Sequence, residues 1–173
     1  MGFDVKKIIP EIQKRINKTA FIKEDPKLLP MFLSLKNFRH FIISNAMVED
    51  DRATLKKLGV PVTIFERIIT AQDCQEPKPD PEPFRLLLKI TGLPADQHLY
   101  IGDRELVDIL PAKKLGMKTI LVWGKSKIAD LSLPTVYDVA EVLIWYFPRW
   151  PFDILRVKPE LVEPADLFGA VTD

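Results

Sequence analysis

Short apolar runs alternate with amphipathic stretches along most of this 173-residue chain, and that alternation limits the folds open to it more than any other feature. Phe38 to Ile43 reads as a strand ending at Ser44-Asn45. A helix is predicted from about Val48 to Leu58, closed by Gly59 as a left-handed cap. A short strand lies within Val62 to Ile69, followed by a loop from Ala71 to Asp80. Pro81 opens a helix carrying Phe84, Leu87 and Leu88 that stops at Thr91-Gly92. His98 to Ile101 is a strand running into Gly102-Asp103. The next helix is expected to bury Leu106, Ile109 and Leu110 and to end at Leu115-Gly116, and Lys118 to Val122 is a further strand. Upstream, Val5, Ile8, Ile9, Ile12 and Ile16 mark an amphipathic helix over residues 5–17. A second helix follows through Leu28, Leu29, Phe32 and Leu35 to Asn37, with Asp25 as its N-cap and Pro26 at the first helical position.

Strands separated by helices of about 10 to 12 residues build βαβ units, and βαβ units build a parallel sheet. Right-handed crossovers then bring the strand C-termini to one edge, where such sheets hold their ligands. Composition narrows the partners. With 47% hydrophobic residues the chain can bury a core, and 25 basic residues against 24 acidic ones leave a net charge of +1. No long-range field recruits nucleic acid or acidic membrane, so charge can act only through a local pocket. A single cysteine, Cys74, rules out an intramolecular disulfide and suits a reducing compartment. Neither His40 nor His98 is near it in sequence, so it reads as a small apolar side chain and not a nucleophile. The N-terminal residues have no apolar signal region. The apolar stretch from Val139 to Phe152 is too short, and too broken by Glu141, Arg149 and prolines, to span a bilayer. A soluble, cytoplasmic protein is expected.

Three groups sit at strand ends. Ser44 and Asn45 place a hydroxyl and an amide ahead of a helix, where backbone N–H groups can cradle a phosphate; simple N-capping is the plain alternative. Glu76-Pro77-Lys78-Pro79-Asp80-Pro81 is held extended by its prolines, which aims the Lys78 ammonium at a phosphoryl group or a carboxylate; otherwise it is a turn with a solvated lysine. Gly102-Asp103 closes a strand, and Asp108 follows on the next helix. Two carboxylates converging there would hold a hard cation such as Mg²⁺; otherwise Asp103 caps the helix and Asp108 forms an ion pair.

Their order and spacing are more specific than any one of them. Ser44-Asn45, Lys78 within Lys-Pro-Asp-Pro, Gly102-Asp103 with Asp108, and Ala112-Lys113-Lys114-Leu115-Gly116-Met117 together resemble motifs II to IV of the haloacid dehalogenase (HAD) superfamily, in its haloacid dehalogenase and phosphoglycolate phosphatase branch. The resemblance covers about residues 25–125. It implies a three-layer α/β/α Rossmann-like core with a parallel sheet and Mg²⁺-dependent phosphoryl transfer. Ser44 would hydrogen-bond the phosphoryl group together with Asn45, Lys78 would stabilise its charge, Asp103 would ligate Mg²⁺, and Asp108 would support the metal's water shell.

One part of that pattern is missing. The family's nucleophile and its general acid–base come from an Asp-x-Asp-Gly-Thr motif on the first, central strand. No Asp-x-Asp occurs in this sequence; Asp4 follows only three residues, and Lys6 stands where the second aspartate belongs. Losing a covalent nucleophile costs on the order of 10⁴ to 10⁶ in rate, so the chain as given is expected to be inactive. The strands ending at Ser44 and Gly102 must then pair directly, or another segment must fill the gap, since two open rows of backbone groups are not tolerated in a core. A diverged scaffold, a fragment of a longer enzyme, and a strand supplied from elsewhere all fit. No cap domain is recognisable.

Residues 1–143 are read as the Rossmann-like domain, with its motifs in 38–125, and 144–173 as an aromatic, proline-rich extension. The segment from Ile144 to Phe152 either folds over its own domain or makes a homodimer or protein contact, where Trp, Tyr and Arg are enriched. The run Leu167 to Val171, closing in Asp173, is either a frayed terminus or the missing strand. Two functions follow. One is a phosphatase-type domain for a small phosphorylated ligand, inactive as this chain. The other is a binding or assembly module in which Lys78 merely pairs with Asp103.

Overall fold

The structure, a computed structural model, describes residues 18–146. The expected helix at 5–17, the extension beyond 146 and the candidate strand Leu167 to Val171 lie outside the described residues. After a 3₁₀ turn at Lys18–Phe21 come α1 (Leu28–Ser34), β1 (His40–Ile43), α2 (Val48–Leu58), β2 (Phe65–Ile69), α3 (Glu82–Thr91) and β3 (Leu99–Gly102). A π-helical turn (Glu105–Ile109) then leads into α4 (Leu110–Lys114), β4 (Lys118–Val122), β5 (Leu131–Leu133) and α5 (Tyr137–Tyr146).

Local chemistry accounts for the boundaries. Gly59 ends α2 at φ 76°, its N–H bonding the carbonyls of Leu55 and Lys56. Gly92 ends α3 at φ 68°. Both helices thus stop at the left-handed position that glycine occupies without a Cβ penalty. Helix α1 starts later than expected. The Asp25 carboxylate accepts the Lys27 N–H at 3.0 Å, so Asp25 and Pro26 form an Asx-type turn and the helix begins at Leu28.

The expected regular helix after Gly102 is corrected. Pro111 has no N–H to donate one turn back, and the chain takes a wider turn instead, with the Leu110 N–H on Glu105 O. That turn buries Asp108 and Ile109 and leaves Leu106 65% exposed, where burial was expected. Strand β5 and helix α5 were not foreseen. β5 has only three residues, and α5 runs from Tyr137 to Tyr146.

Helices lie on two faces. Met31 of α1 and Val139, Ala140 and Leu143 of α5 pack with Ile120, Val122 and Leu133. On the other side Phe84 and Leu87 of α3 and Ala112 of α4 pack with Phe41, Ile43, Ile69 and Tyr100. Alternate residues of a strand feed opposite faces, which gives three layers, α/β/α.

All strand pairs are parallel, but they form two sheets, β1–β2 and β3–β4–β5. Among the described residues β1 and β3 do not pair, so direct pairing across the missing strand is ruled out there. The Ser44 N–H bonds Ile69 O at 2.9 Å, and the Lys118 N–H bonds His98 O at 2.9 Å. By the alternation of a parallel ladder, Ser44 and His98 face their sheet partners. Phe41 and Ile43 of β1, and Leu99 and Ile101 of β3, therefore turn their N–H and C=O groups away from β2 and β4. Residues of both sheets share the cluster around Phe84. Among the described residues, a common core joins the two sheets.

Candidate active site

Lys78 enters the carboxyl edge from the loop between β2 and α3, and the Lys78–Pro79 peptide is cis. Asn45, just past β1, clamps this loop. Its Oδ1 accepts the Lys78 N–H at 2.9 Å, and its Nδ2 donates to Lys78 O at 2.7 Å. Asn45 is thus spent on holding the lysine backbone.

The Lys78 side chain is 6% exposed. Its ammonium donates to Asp108 Oδ1 at 2.6 Å, Ile43 O at 2.8 Å and Tyr100 Oη at 2.9 Å. An ammonium has three donors, so all are used. The expected pairing of Lys78 with Asp103 is not found among the described residues: the ion pair falls on Asp108, and Asp103 is 56% exposed with Arg104 Nε at 3.9 Å. The π turn explains the choice, since its wide arc carries Asp108 inward while Asp103 stays at the rim.

Asp108 is 3% exposed and engages both oxygens. Oδ2 accepts the Arg104 N–H at 3.2 Å and Arg104 Nε at 3.4 Å, while Oδ1 takes Lys78 and, more weakly, the Tyr100 hydroxyl at 3.4 Å. Burial pushes its carboxyl up, but the Lys78 hydrogen bond, the Lys78 charge and Arg104 outweigh that and hold it below the ordinary value. Tyr100 is pushed well up, first by burial and then by the Asp108 charge; it stays a neutral phenol.

Gly102 matters here for space. A Cβ on it would lie 2.5 Å from Asp108 Cβ and 3.3 Å from Tyr100 Cε1, and its backbone is not left-handed. Its bare Cα is what lets Asp108 pass.

Ser44 Oγ accepts the Ala46 N–H at 3.0 Å and donates to Asp51 Oδ1 at 3.1 Å. The Val48 N–H at the head of α2 is taken by Gln72 Oε1 at 3.3 Å, and Glu49, Asp50 and Asp51 fill its first turn. Phosphate approaching there must displace these contacts.

The Mg²⁺ that the resemblance implies finds few donors. Among the described residues no group of three or more His, Cys, Asp or Glu side chains could hold a metal. With both Asp108 oxygens engaged and Asp103 beside Arg104 Nε at 3.9 Å, the residues present do not by themselves make a Mg²⁺ site.

Tyr100, Arg104 and Asp51 were not picked out from the sequence. Tyr100 had a signal: it stands two residues before Gly102, on the same strand face. His98 is structural, its Nδ1 donating to Pro94 O at 2.8 Å and its Nε2 2.8 Å from Thr91 Oγ1. The Cys74 thiol is pushed up by burial and then by Glu82, Asp73 and Asp80, which disfavours a nucleophilic thiolate.

Comparison with known proteins gives the family. The chain is 32% identical over 116 residues to a glyceraldehyde 3-phosphate phosphatase of Methanocaldococcus jannaschii, covering 66% of this chain and 50% of the relative. It is 30% identical over 136 residues to a phosphoglycolate phosphatase of Rhodospirillum rubrum, covering 76% and 56%. The chain thus spans about half the length of these relatives. The crystal structure of a HAD phosphatase from Thermococcus onnurineus superposes with a TM-score of 0.61 at 19% identity, over 80% of this chain and 78% of that one; it speaks for the fold alone. Residues 2–122 match the family model described as haloacid dehalogenase-like hydrolase, and with the Ser44, Lys78 and Asp103–Asp108 motifs at one sheet edge, the chain belongs to that family.

Proposed function

We propose that this chain is the phosphoryl-binding part of a phosphatase-type hydrolase and that, as given, it binds small phosphorylated ligands without turning them over. The observation that carries the reading is the buried Lys78 ammonium at the carboxyl edge, held by Asp108 and two neutral acceptors, Ile43 O and Tyr100 Oη. A phosphoryl oxygen can replace either neutral acceptor and gain a charge-assisted bond. Ser44 lies at the end of the neighbouring strand and can turn its hydroxyl from Asp51 toward the same oxygen. Arg104, 53% exposed beside Asp108, adds a second cation at the rim. Among the described residues, the two carboxylates at this edge are already engaged. Asp108 is locked in ion pairs, and Asp103 stands at the rim beside Arg104. No step is routed through Mg²⁺, for which the donors fall short.

Inorganic phosphate titrated into the purified chain, followed by calorimetry and thermal melting, tests this. Binding that is lost in Lys78→Met, with no release of phosphate from p-nitrophenyl phosphate in Mg²⁺ buffer, is expected. Absence of binding at about 100 times a millimolar Kd, or sustained hydrolysis abolished by Asp103→Asn, overturns it.

A second reading, a non-catalytic binding or assembly module, draws on the saturation of Lys78. With every donor satisfied internally, Lys78 and Asp108 can serve the scaffold alone. Phosphate-independent melting separates the two. Among the described residues no helix is long and apolar enough to cross a membrane, and the aromatic segment 144–152 remains the candidate for a protein contact.

A further inference from the structure

We propose that the Tyr100 hydroxyl is a placeholder acceptor for Lys78: it holds the third ammonium donor until a phosphoryl oxygen takes that donor over. The inference rests on the phosphoryl-binding reading of this edge and names the group that the ligand displaces. Lys78 Nζ has three donors, and three acceptors share them: Asp108 Oδ1 at 2.6 Å, Ile43 O at 2.8 Å and Tyr100 Oη at 2.9 Å. A phosphoryl oxygen makes a fourth. One acceptor must then give up its donor, and the three differ in what that costs.

Asp108 is the costliest to release. Its side chain is 3% exposed, and a buried carboxylate parted from its cation is heavily penalised. Ile43 O comes next. It is an amide oxygen, a stronger acceptor than a phenol oxygen, and it is fixed in β1 on the side away from β2. Losing its donor costs the desolvation of a part-buried carbonyl. Tyr100 loses least. Its contact is the longest of the three, and its O–H has a second partner in Asp108 Oδ1 at 3.4 Å, so the hydroxyl stays hydrogen-bonded after the ammonium turns away. The ring itself cannot swing aside. It packs on Phe84 with centroids 4.9 Å apart, and its Cε1 lies 3.3 Å from where a Cβ on Gly102 would stand. The phenol oxygen holds still while the ammonium rotates about its Cε–Nζ bond. Tyr100 thus keeps a buried ammonium fully bonded between ligands, at the least cost to ligand affinity.

Inorganic phosphate is titrated into the full chain at constant ionic strength without divalent metal, and two carbon signals are followed by NMR. The Tyr100 Cζ signal reports bonding at the phenol oxygen, and the Ile43 carbonyl signal reports the rival acceptor. Tyr100 Cζ should move along the same saturation curve as the calorimetric heat, with the Ile43 carbonyl nearly still. Tyr100→Phe removes the competing oxygen and leaves one donor unclaimed, so its phosphate Kd should be about three- to tenfold lower, the worth of one neutral hydrogen bond. A ring that served packing alone would give no such gain. Phosphate should also raise the melting temperature of Tyr100→Phe more than that of the unaltered chain at the same concentration. Two results overturn the proposal and leave the phosphoryl reading standing: the Ile43 carbonyl moving while Tyr100 Cζ stays still, or an equal or weaker affinity in Tyr100→Phe. If neither protein binds phosphate, both fall together. The carbon signals are read on the unaltered chain, so they decide the matter even where Tyr100→Phe does not fold.

Discussion

Replacing Asp108 by Ala tests the electrostatic centre of the fold most sharply. The carboxylate is 3% exposed and its partner Lys78 6% exposed, so water cannot step in when one is removed. Truncating one member of such a pair strands a buried charge and costs about 3–5 kcal/mol. That is a large share of the roughly 5–15 kcal/mol that holds a domain of this size. The two ends of the pair are not equivalent. Without Lys78, Asp108 still has the N–H and Nε of Arg104 at 3.2 and 3.4 Å; without Asp108, the ammonium keeps only neutral acceptors, Ile43 O and Tyr100 Oη. Asp108→Ala should therefore destabilise more than Lys78→Met. The double variant Lys78→Met/Asp108→Leu should cost less than Asp108→Ala alone, because no charge is left buried. Urea unfolding at pH 7 with an unchanged m-value measures all three. If Asp108→Ala is too unstable to purify, Asp108→Asn keeps the volume and an acceptor and provides the same cycle at lower cost. An Asp108→Ala loss below about 1 kcal/mol, or a double variant equal to the sum of the singles, would refute the reasoning.

Further outcomes are expected. Gly102→Ala brings a methyl to 2.5 Å from Asp108 Cβ and should cost about 1–3 kcal/mol by overpacking; chemical denaturation checks it, and a neutral result would mean the π turn yields freely. Acid sensitivity follows from three depressed carboxyls. Asp108 is described above; Asp130 is raised by burial but held down by Lys113 and Thr119, and Asp73 is lowered by the Thr70 N–H and then Arg67. A depressed folded value contributes stability above the unfolded pKa near 4 that is lost as pH falls through the lower folded value; stability should level off above about pH 5 and fall steeply below pH 4, and Asp108→Asn should flatten that fall. At the alkaline end the raised Tyr100 value contributes stability below about pH 10 that is lost as pH rises past it, so Tyr100→Phe should move the alkaline melting midpoint upward, read by circular dichroism. Asn45→Ala removes both clamps on Lys78 and should cost about 1–3 kcal/mol by leaving those backbone groups unpaired; a thermal melt unchanged within a degree would sink that role.

What the sequence determined alone were features that depend on neighbours in the chain. Helix α2 ends at Gly59 and α3 at Gly92 because a left-handed residue is a local requirement. Strand β4 is legible as Lys118 to Val122 because its apolar residues are contiguous. The motif order Ser44, Lys78, Asp103 and Asp108 marked the family and its sheet edge. Only tertiary structure decided which carboxylate Lys78 meets. Asp103 and Asp108 are five residues apart, and the choice between them came from a π turn that Pro111 favours and that Gly102 leaves room for. It also decided the fate of Asn45, whose amide holds a loop 33 residues away, a pairing no local pattern encodes. The separation of β1 and β3 into two sheets among the described residues belongs to the same class. Strand identity is written in local periodicity, but which edges meet depends on loop closure and on a common core that forms around Phe84.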